Sequence, residues 1–472
     1  MKLRLSILLL SIFALAASSI SAAPVDDARR MIDDGRYDEA AAALRKIVKS
    51  KPRDAGANYL LGLALVRGGA EAEGLKYMST AETRGSADAA AFLARRAFDE
   101  YMPEDAQEHL DAWEEAARKA RKSLPEDFSE VSSRVVAMDN MLRRVEKIEI
   151  IDTIRVDSAA FLSAYRIAPQ SGTLVPGEAL GPGSDASVVF IPEQRTEMFW
   201  AAPDSAGNTS IFFSAILDDG TREHPERAKL TDGGNVSFPF LMPDGMTLYY
   251  AADEGTDGLG GYDIYMTRRS DDGSFMQSQN MGMPYNSPFN DFMLAIDETT
   301  GLGWWASDRE RIPGKLTIFV FAPSETRVNY APDAEDLPAL ARLSDISLTR
   351  IEGKDYKAEL ESRLSHIPDS PQASSSTDGL NAPAFQIDMG SRGIYTSLAD
   401  FKNEDARRAM LRYLSDETNL RNDLARLQSL RDDYSRKPSK ALGNQIFELE
   451  SYVDKARASL RKALNTAIRL ER

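Results

Sequence analysis

The chain of 472 residues contains no cysteine. That excludes a disulfide framework, a thiol nucleophile and a thiolate metal site. It equally excludes lipid anchoring through an acylated cysteine. Histidine is scarce: His109, His224 and His366 lie far apart, with no His-x-His or His-x-x-x-His spacing. They compose neither a zinc-ligand pattern nor a Ser-His-Asp set. A Gly-x-Ser-x-Gly elbow is missing, as is a phosphate-binding glycine loop followed by Lys-Ser/Thr. Catalytic residues, a metal centre and a cofactor are therefore not expected, and the chain reads as a non-enzyme. Positive charge is in deficit, with 57 Lys+Arg against 73 Asp+Glu and a formal net charge of -16. Such a balance repels nucleic acid and anionic membrane surfaces at long range.

Long apolar runs are also absent beyond residue 17, so no transmembrane segment is expected in the mature chain. The one run, Leu5 to Ala17, follows Lys2 and Arg4 and precedes Ser18, Ser19, Ser21, Ala22 and Ala23. A short basic region, an apolar stretch too short to span a bilayer and small residues after it are the layout of a secretory signal. Residues 1–23 are expected to direct export to the periplasm, with cleavage near Ser21 to Ala23.

What is present is enough for two or three domains of ~150 residues each, with 43% apolar and 28% charged residues. Residues 24–146 are rich in Ala, Glu and Arg at helical spacing. Gly35, Tyr37, Ala40, Leu44, Ile47 and Pro52 resemble the second half of a tetratricopeptide repeat. Glycine turns the chain between two helices, an aromatic and a small alanine face the partner helix, and proline ends the unit. Leu61, Gly62, Gly69 and Ala81 partly repeat this pattern, and Ala94, Phe98, Ala106 and Leu110 form a third unit. The resemblance implies a concave groove for peptides or other proteins.

From Ile148 the pattern changes to β-branched clusters. Short strands then recur: Met198-Phe199-Trp200-Ala201, Leu248-Tyr249-Tyr250-Ala251 and Gly303-Trp304-Trp305-Ala306, spaced by 50 and 55 residues. The second unit runs from Phe238-Pro239 through Pro243-Asp244-Gly245 to Gly260-Gly261-Tyr262-Asp263-Ile264-Tyr265. It resembles the repeats of the TolB-like, WD-type β-propeller family. Pro284, Asn286, Ser287, Asn290, Asp291 and Phe292 resemble the lead-in to such a blade. That form occurs in periplasmic and outer-membrane-associated proteins of diderm bacteria, often with helical repeats before the propeller and an OmpA-like domain after it. No OmpA-like domain is evident here. A closed ring needs at least ~4 blades, and residues 148–183 are the stretch available for a fourth.

Two features of residues 147–330 are candidate binding sites. In a strand, neighbouring side chains face opposite ways, so one ring of each aromatic pair is expected in the core and the other at a facing sheet or the surface. Trp200, Tyr250, Trp304 and Trp305 are thus candidates for stacking on a glycan or for a protein hot spot, the alternative being packing between blades. The loop Asp253 to Asp263, with Asp257 and Glu254 among four glycines, offers oxygen ligands for Ca²⁺ but departs from the EF-hand pattern. Its alternative is a solvated hairpin loop in which Asp263 serves the blade's hydrogen bonds.

Residues 331–366 read as a helical connector and 367–384 as a Ser/Pro-rich linker. Residues 385–472 read as a short hairpin and two antiparallel helices, broken at Arg436 to Lys440. The fold class expected is α+β multidomain: helical repeats, propeller-like antiparallel sheets and a C-terminal helical hairpin. The function expected is an exported scaffold binding other envelope proteins, the alternative being a peptidoglycan- or glycan-binding module.

Overall fold

A computed structural model describes residues 24–471, apart from 181–187, 205–206, 218–221, 231–233, 254–256, 271, 366, 368–386, 390–391, 396–397, 399 and 437–439. The segment read as a signal, nearly all of the stretch read as a Ser/Pro-rich linker and the centre of the acidic loop lie outside the described residues. The chain forms two compact units, one ending at Arg143 and the other beginning at Arg144. Among the described residues no helix is long and apolar enough to cross a membrane.

The first unit contains helix α1 over residues 24–33, then α2 (Tyr37–Ser50), α3 (Ala55–Arg67), α4 (Glu71–Thr83), α5 (Ala87–Asp99), α6 (Pro103–Lys119) and α7 (Asp127–Leu142). Side chains start two of them: Asp54 accepts from Ala57 N at 2.9 Å and Ser86 from Ala89 N at 3.2 Å. The turns α1–α2, α3–α4 and α5–α6 share one geometry. In each a residue with φ near +60 to +90° donates its N–H three residues back, and the next residue donates five back. These residues are Gly35 and Arg36, Gly69 and Ala70, and Tyr101 and Met102. This is the left-handed helix stop that glycine takes freely. The third unit uses a buried tyrosine instead, which explains why glycine periodicity fades there.

Flanking each turn, twelve positions apart, stand two buried small residues, Ala28 and Ala40, Gly62 and Gly74, and Ala94 and Ala106, of which Gly62 and Gly74 meet directly. A Cβ on Gly74 would stand 2.8 Å from Gly62 O, and one on Gly62 would stand 2.9 Å from Gly74 O. Four residues beyond the second member, Leu44, Met78 and Leu110 fill the space beside the contact and are at most 1% exposed. Small residues bring the helix axes together and the long ones seal the gap.

Among the described residues the second unit carries three larger antiparallel sheets and a short antiparallel strand pair in its tail. The first has the order β2-β3-β4-β5-β6, from β2 (Thr173–Pro176), β3 (Val188–Ile191), β4 (Glu197–Pro203), β5 (Thr209–Ala215) and β6 (Glu226–Arg227). The second is β10-β9-β8-β7, from β7 (Val236–Leu241), β8 (Thr247–Ala252), β9 (Asp263–Arg268) and β10 (Gln279–Asn280). The third is β1-β13-β12-β11, from β1 (Glu149–Asp157), β11 (Asp291–Asp297), β12 (Leu302–Ser307) and β13 (Lys315–Ala322). The strand that comes first in sequence thus completes the sheet that comes last. The described residues of the stretch 148–183 build no fourth blade-like sheet: β1 joins the third and β2 joins the first. β1 is claimed by β13 because their registers match over Ile154↔Ile318 and Val156↔Leu316.

The segment between β1 and β2 ties the last sheet to the chain's return. Phe161 meets Phe238 and Phe292 edge-on at 6.2 and 5.6 Å. Tyr165 Oη donates to Met293 O at 2.8 Å, and the buried Asp297 carboxylate accepts from Ala168 N at 2.8 Å and Ser171 Oγ at 2.6 Å. The hairpin turn Pro243-Asp244-Gly245 works as its residues require. Asp244 accepts from Met246 N and Thr247 N, both at 2.8 Å, and Gly245 takes φ +69°.

After the sheets come α8 (Leu337–Arg342) and α9 (Tyr356–Leu364), a connector more broken than its composition suggests. Arg350 between them donates to Ile150 O at 2.9 Å and Ile151 O at 2.6 Å, covering the outer edge of β1 where it begins. The tail pairs β14 (Ile387–Asp388) with β15 (Ile394–Tyr395) and packs them with α10 (Glu404–Arg436) and α11 (Lys440–Glu471). Met410, Leu464 and Ile468 are in that core. Glu471 closes it by accepting from Lys402 N and Asn403 N at the start of α10, both at 2.9 Å.

Replacing Gly74 with alanine should lower stability by about 1–3 kcal/mol through overpacking against Gly62. Gly56→Ala, at an exposed helical position, should instead raise it by up to about 1 kcal/mol. Thermal unfolding followed by far-ultraviolet circular dichroism distinguishes the two; equal effects would refute the close contact.

Candidate functional site

The aromatic pairs lie inside the sheets, not on them. Trp200, Tyr250, Trp304 and Trp305 are 2, 1, 1 and 0% exposed. Their strand neighbours Phe199, Tyr249 and Gly303 are buried too, so of the two places expected for the second ring of a pair, a facing sheet or the surface, the surface is not the one taken. The reason is that both faces of each middle strand are covered. Phe199 points into the large core shared by the three sheets, while Trp200 points into a second cluster with Val189, Met198 and Phe212. Trp305 stacks on Phe319 at 4.7 Å. Tyr250 donates to Ser278 Oγ at 2.6 Å, and burial pushes its hydroxyl up to about 12. None of these rings offers a face to a glycan at the surface of this fold.

The acidic loop is largely engaged in joining sheets. Asp253 accepts from Asn235 N at 2.6 Å and Asn235 Nδ2 at 2.7 Å. The Asn235 amide oxygen accepts from Thr209 N of the first sheet at 2.9 Å. The same arrangement recurs 55 residues later. Asp308 accepts from Asn290 N at 2.8 Å and Asn290 Nδ2 at 2.7 Å, and Asn290 Oδ1 accepts from Tyr262 N of the second sheet at 3.0 Å. Each asparagine thus links an aspartate of its own sheet to the backbone of the sheet before it. Gly261 makes room, since a Cβ there would stand 2.4 Å from Asn290 Oδ1. Asp263 is buried and accepts from Leu259 N, as the hairpin reading expects. Asp257 is exposed with φ +62°, and its carbonyl accepts from Asn280 Nδ2 at 3.2 Å. Among the described residues no group of three or more His, Asp or Glu is placed to hold a metal ion.

The other lead-in residues serve the same junction. Asn286, fully buried, accepts from Ile264 N at 2.7 Å and donates to Ile264 O at 2.9 Å. Asp291 is fully buried and pairs with Arg309 at 2.6 Å. Burial raises its carboxyl, opposed by the Arg309 guanidinium and the Ser287 and Ser307 hydroxyls. Arg309 also donates to Pro284 O at 3.0 Å and Tyr285 O at 2.8 Å, and lies over the Phe319 ring at 5.0 Å. Sequence reasoning missed Asn235, Asp308 and Arg309. The signal available was the 55-residue interval, which relates Asn235 to Asn290 and Asp253 to Asp308 as it relates Ala251 to Ala306.

The first unit holds an exposed arrangement of a different kind. Tyr59, Leu63 and Arg67 stand four apart on one face of α3. Tyr59 and Leu63 are partly buried and pack against two clusters at once, one built from α1, α2 and α3, the other from Met78, Ala81, Ala89 and Leu93. Phe92 of α5 lies beside the second. Burial, with Asp88, raises the Tyr59 hydroxyl, while Arg29, Arg67 and Arg95 oppose that rise. Guanidinium groups from α1, α3 and α5 therefore act on one phenol. Arg95 is engaged by Asp127 and lies over Trp113 at 5.1 Å. Arg29 and Arg67 are exposed, and neither has a carboxylate partner among the described residues. The face combines an aromatic and aliphatic floor with cationic groups able to meet carboxylates. The sequence pointed to a groove in this region but not to these residues.

The chain matches no model of a known protein family, no curated protein and no solved structure.

Asn290→Ala should destabilise the second unit by about 1–2 kcal/mol, because Tyr262 N and Asp308 lose a half-buried partner. Asn235→Ala should act in the same direction. Chemical denaturation monitored by tryptophan fluorescence checks this; a change below about 0.5 kcal/mol, as at unremarkable surface sites, would remove the latch from the account.

Proposed function

We propose that this chain is an exported interaction scaffold of the cell envelope, acting by binding rather than catalysis. In this reading the three helical hairpins are tetratricopeptide-like repeats, and their face bearing Arg29, Tyr59 and Arg67 receives an acidic segment of a partner protein. The unpaired guanidinium groups beside a partly buried phenol carry the proposal. In a chain of net charge -16, exposed arginines without acidic partners are where a negatively charged segment meets attraction instead of repulsion. The three sheets are read as blades of a TolB-like propeller array, supported by the 55-residue recurrence of the asparagine latch and by β1 completing the last sheet. The array serves as a rigid body. In this reading the signal-like residues 1–23 direct export to the periplasm, where the protein associates with the outer membrane through its partners.

Affinity capture from envelope extracts with the full mature chain tests this. The wild type should recover a specific partner, and the double variant Arg29→Glu, Arg67→Glu should lose at least tenfold of it while keeping its circular dichroism spectrum. Recovery of the same partner by both would overturn the assignment of the face. Capture of no specific partner would overturn the scaffold reading itself.

A further inference from the structure

We propose that the junction between α4 and α6 is a pH-responsive brace in which protonated His109 clamps the second helical hairpin to the third. His109 Nδ1 lies 2.6 Å from Glu82 Oε1, and the two side chains are 26 and 13% exposed. Glu82 stands in the last turn of α4, and His109 lies near the middle of α6. The pair therefore joins helices of successive hairpins rather than neighbours on one helix. Glu82 faces the imidazole from α4, and Asp105 and Glu108 face it from α6. All three are acidic, so the ring is surrounded by charge of one sign and is held in a position where its own charge is favoured.

Histidine is the side chain whose ordinary titration falls between about pH 5 and 8. The hydrogen bond to Glu82 raises His109 above its usual value; burial opposes this, and the nearby carboxylates add to the rise. The sign follows from linkage. A group whose folded value is raised stabilises the fold fully below the unfolded value, about 6.5. That contribution is lost as the pH climbs through the folded value. Above it the neutral ring can still donate one hydrogen bond, but the ion pair is gone and Glu82, Asp105 and Glu108 face an uncharged partner. The α4–α6 contact loosens while the small-residue contacts within each hairpin are unaffected. This inference does not depend on what the arginine-bearing face binds.

The chain holds only three histidines, so their ring Cε1–H signals can be followed individually in the full-length protein, with His109→Gln assigning one of them. His109 should titrate above the ordinary value, and Glu82→Gln should return it toward that value. Hydrogen exchange, corrected for intrinsic pH dependence, should show faster opening of α4 and α6 at pH 8 than at pH 6 in the wild type. That difference should vanish in His109→Gln. A titration at or below the ordinary value, or no shift in Glu82→Gln, would overturn the brace. So would equal exchange at the two pH values in the wild type. Should His109→Gln fail to fold, the wild-type titration and Glu82→Gln still decide.

Discussion

The second unit depends on how polar groups are satisfied where one sheet meets the next. Apolar packing draws the sheets together but has no preferred angle or register. Asn235 and Asn290 supply both. Each holds an aspartate of its own sheet and caps a backbone N–H of the sheet before it, so a slip of either sheet would leave half-buried donors and acceptors unpaired. The buried Asp291–Arg309 pair belongs to the same junction. Its guanidinium binds two carbonyls of the lead-in loop, so it orients the loop as well as neutralising the carboxylate. In a chain without cysteine these directional contacts do the positioning that covalent links would do elsewhere.

The helical unit reaches definition by an opposite route. Its constraint is steric: Ala28 with Ala40, Gly62 with Gly74 and Ala94 with Ala106 allow closeness that larger residues would forbid. The same pair of hydrogen bonds then stops the helix at the turns α1–α2, α3–α4 and α5–α6, and at α4–α5 and α6–α7 as well. Repetition of one local solution leaves the first helix of each hairpin with a face not used in packing its own pair. That is where Arg29, Tyr59 and Arg67 gather, and where a binding function has room. The sheets leave no such vacancy among their aromatics, because each middle strand is covered on both faces.

The two units therefore suit different parts of one role. A sheet array locked by buried polar contacts deforms little, while a helical stack held partly by exposed ion pairs and by the His109–Glu82 contact responds to charge and pH.

Much of this order was legible in the residues. Helical spacing, Gly35 and the Ala40-to-Leu44 step announced the hairpins, since local turns and close helix contacts leave a local imprint. Pro243-Asp244-Gly245 announced its turn for the same reason. The 50- and 55-residue intervals announced the number of clear sheets. Tertiary structure alone decided what required partners distant in sequence. It sent β1 to the third sheet because β13 matched its register, though nothing near Ile150 or Val156 names Phe321 or Leu316. It buried both members of the aromatic pairs because both faces of the middle strands are covered, which alternation within the strand does not foretell. It also brought Arg29, Arg67 and Tyr59 to one face. Charge composition spoke against anionic partners for the chain as a whole; only the packing of α1 against α3 made a local exception to it.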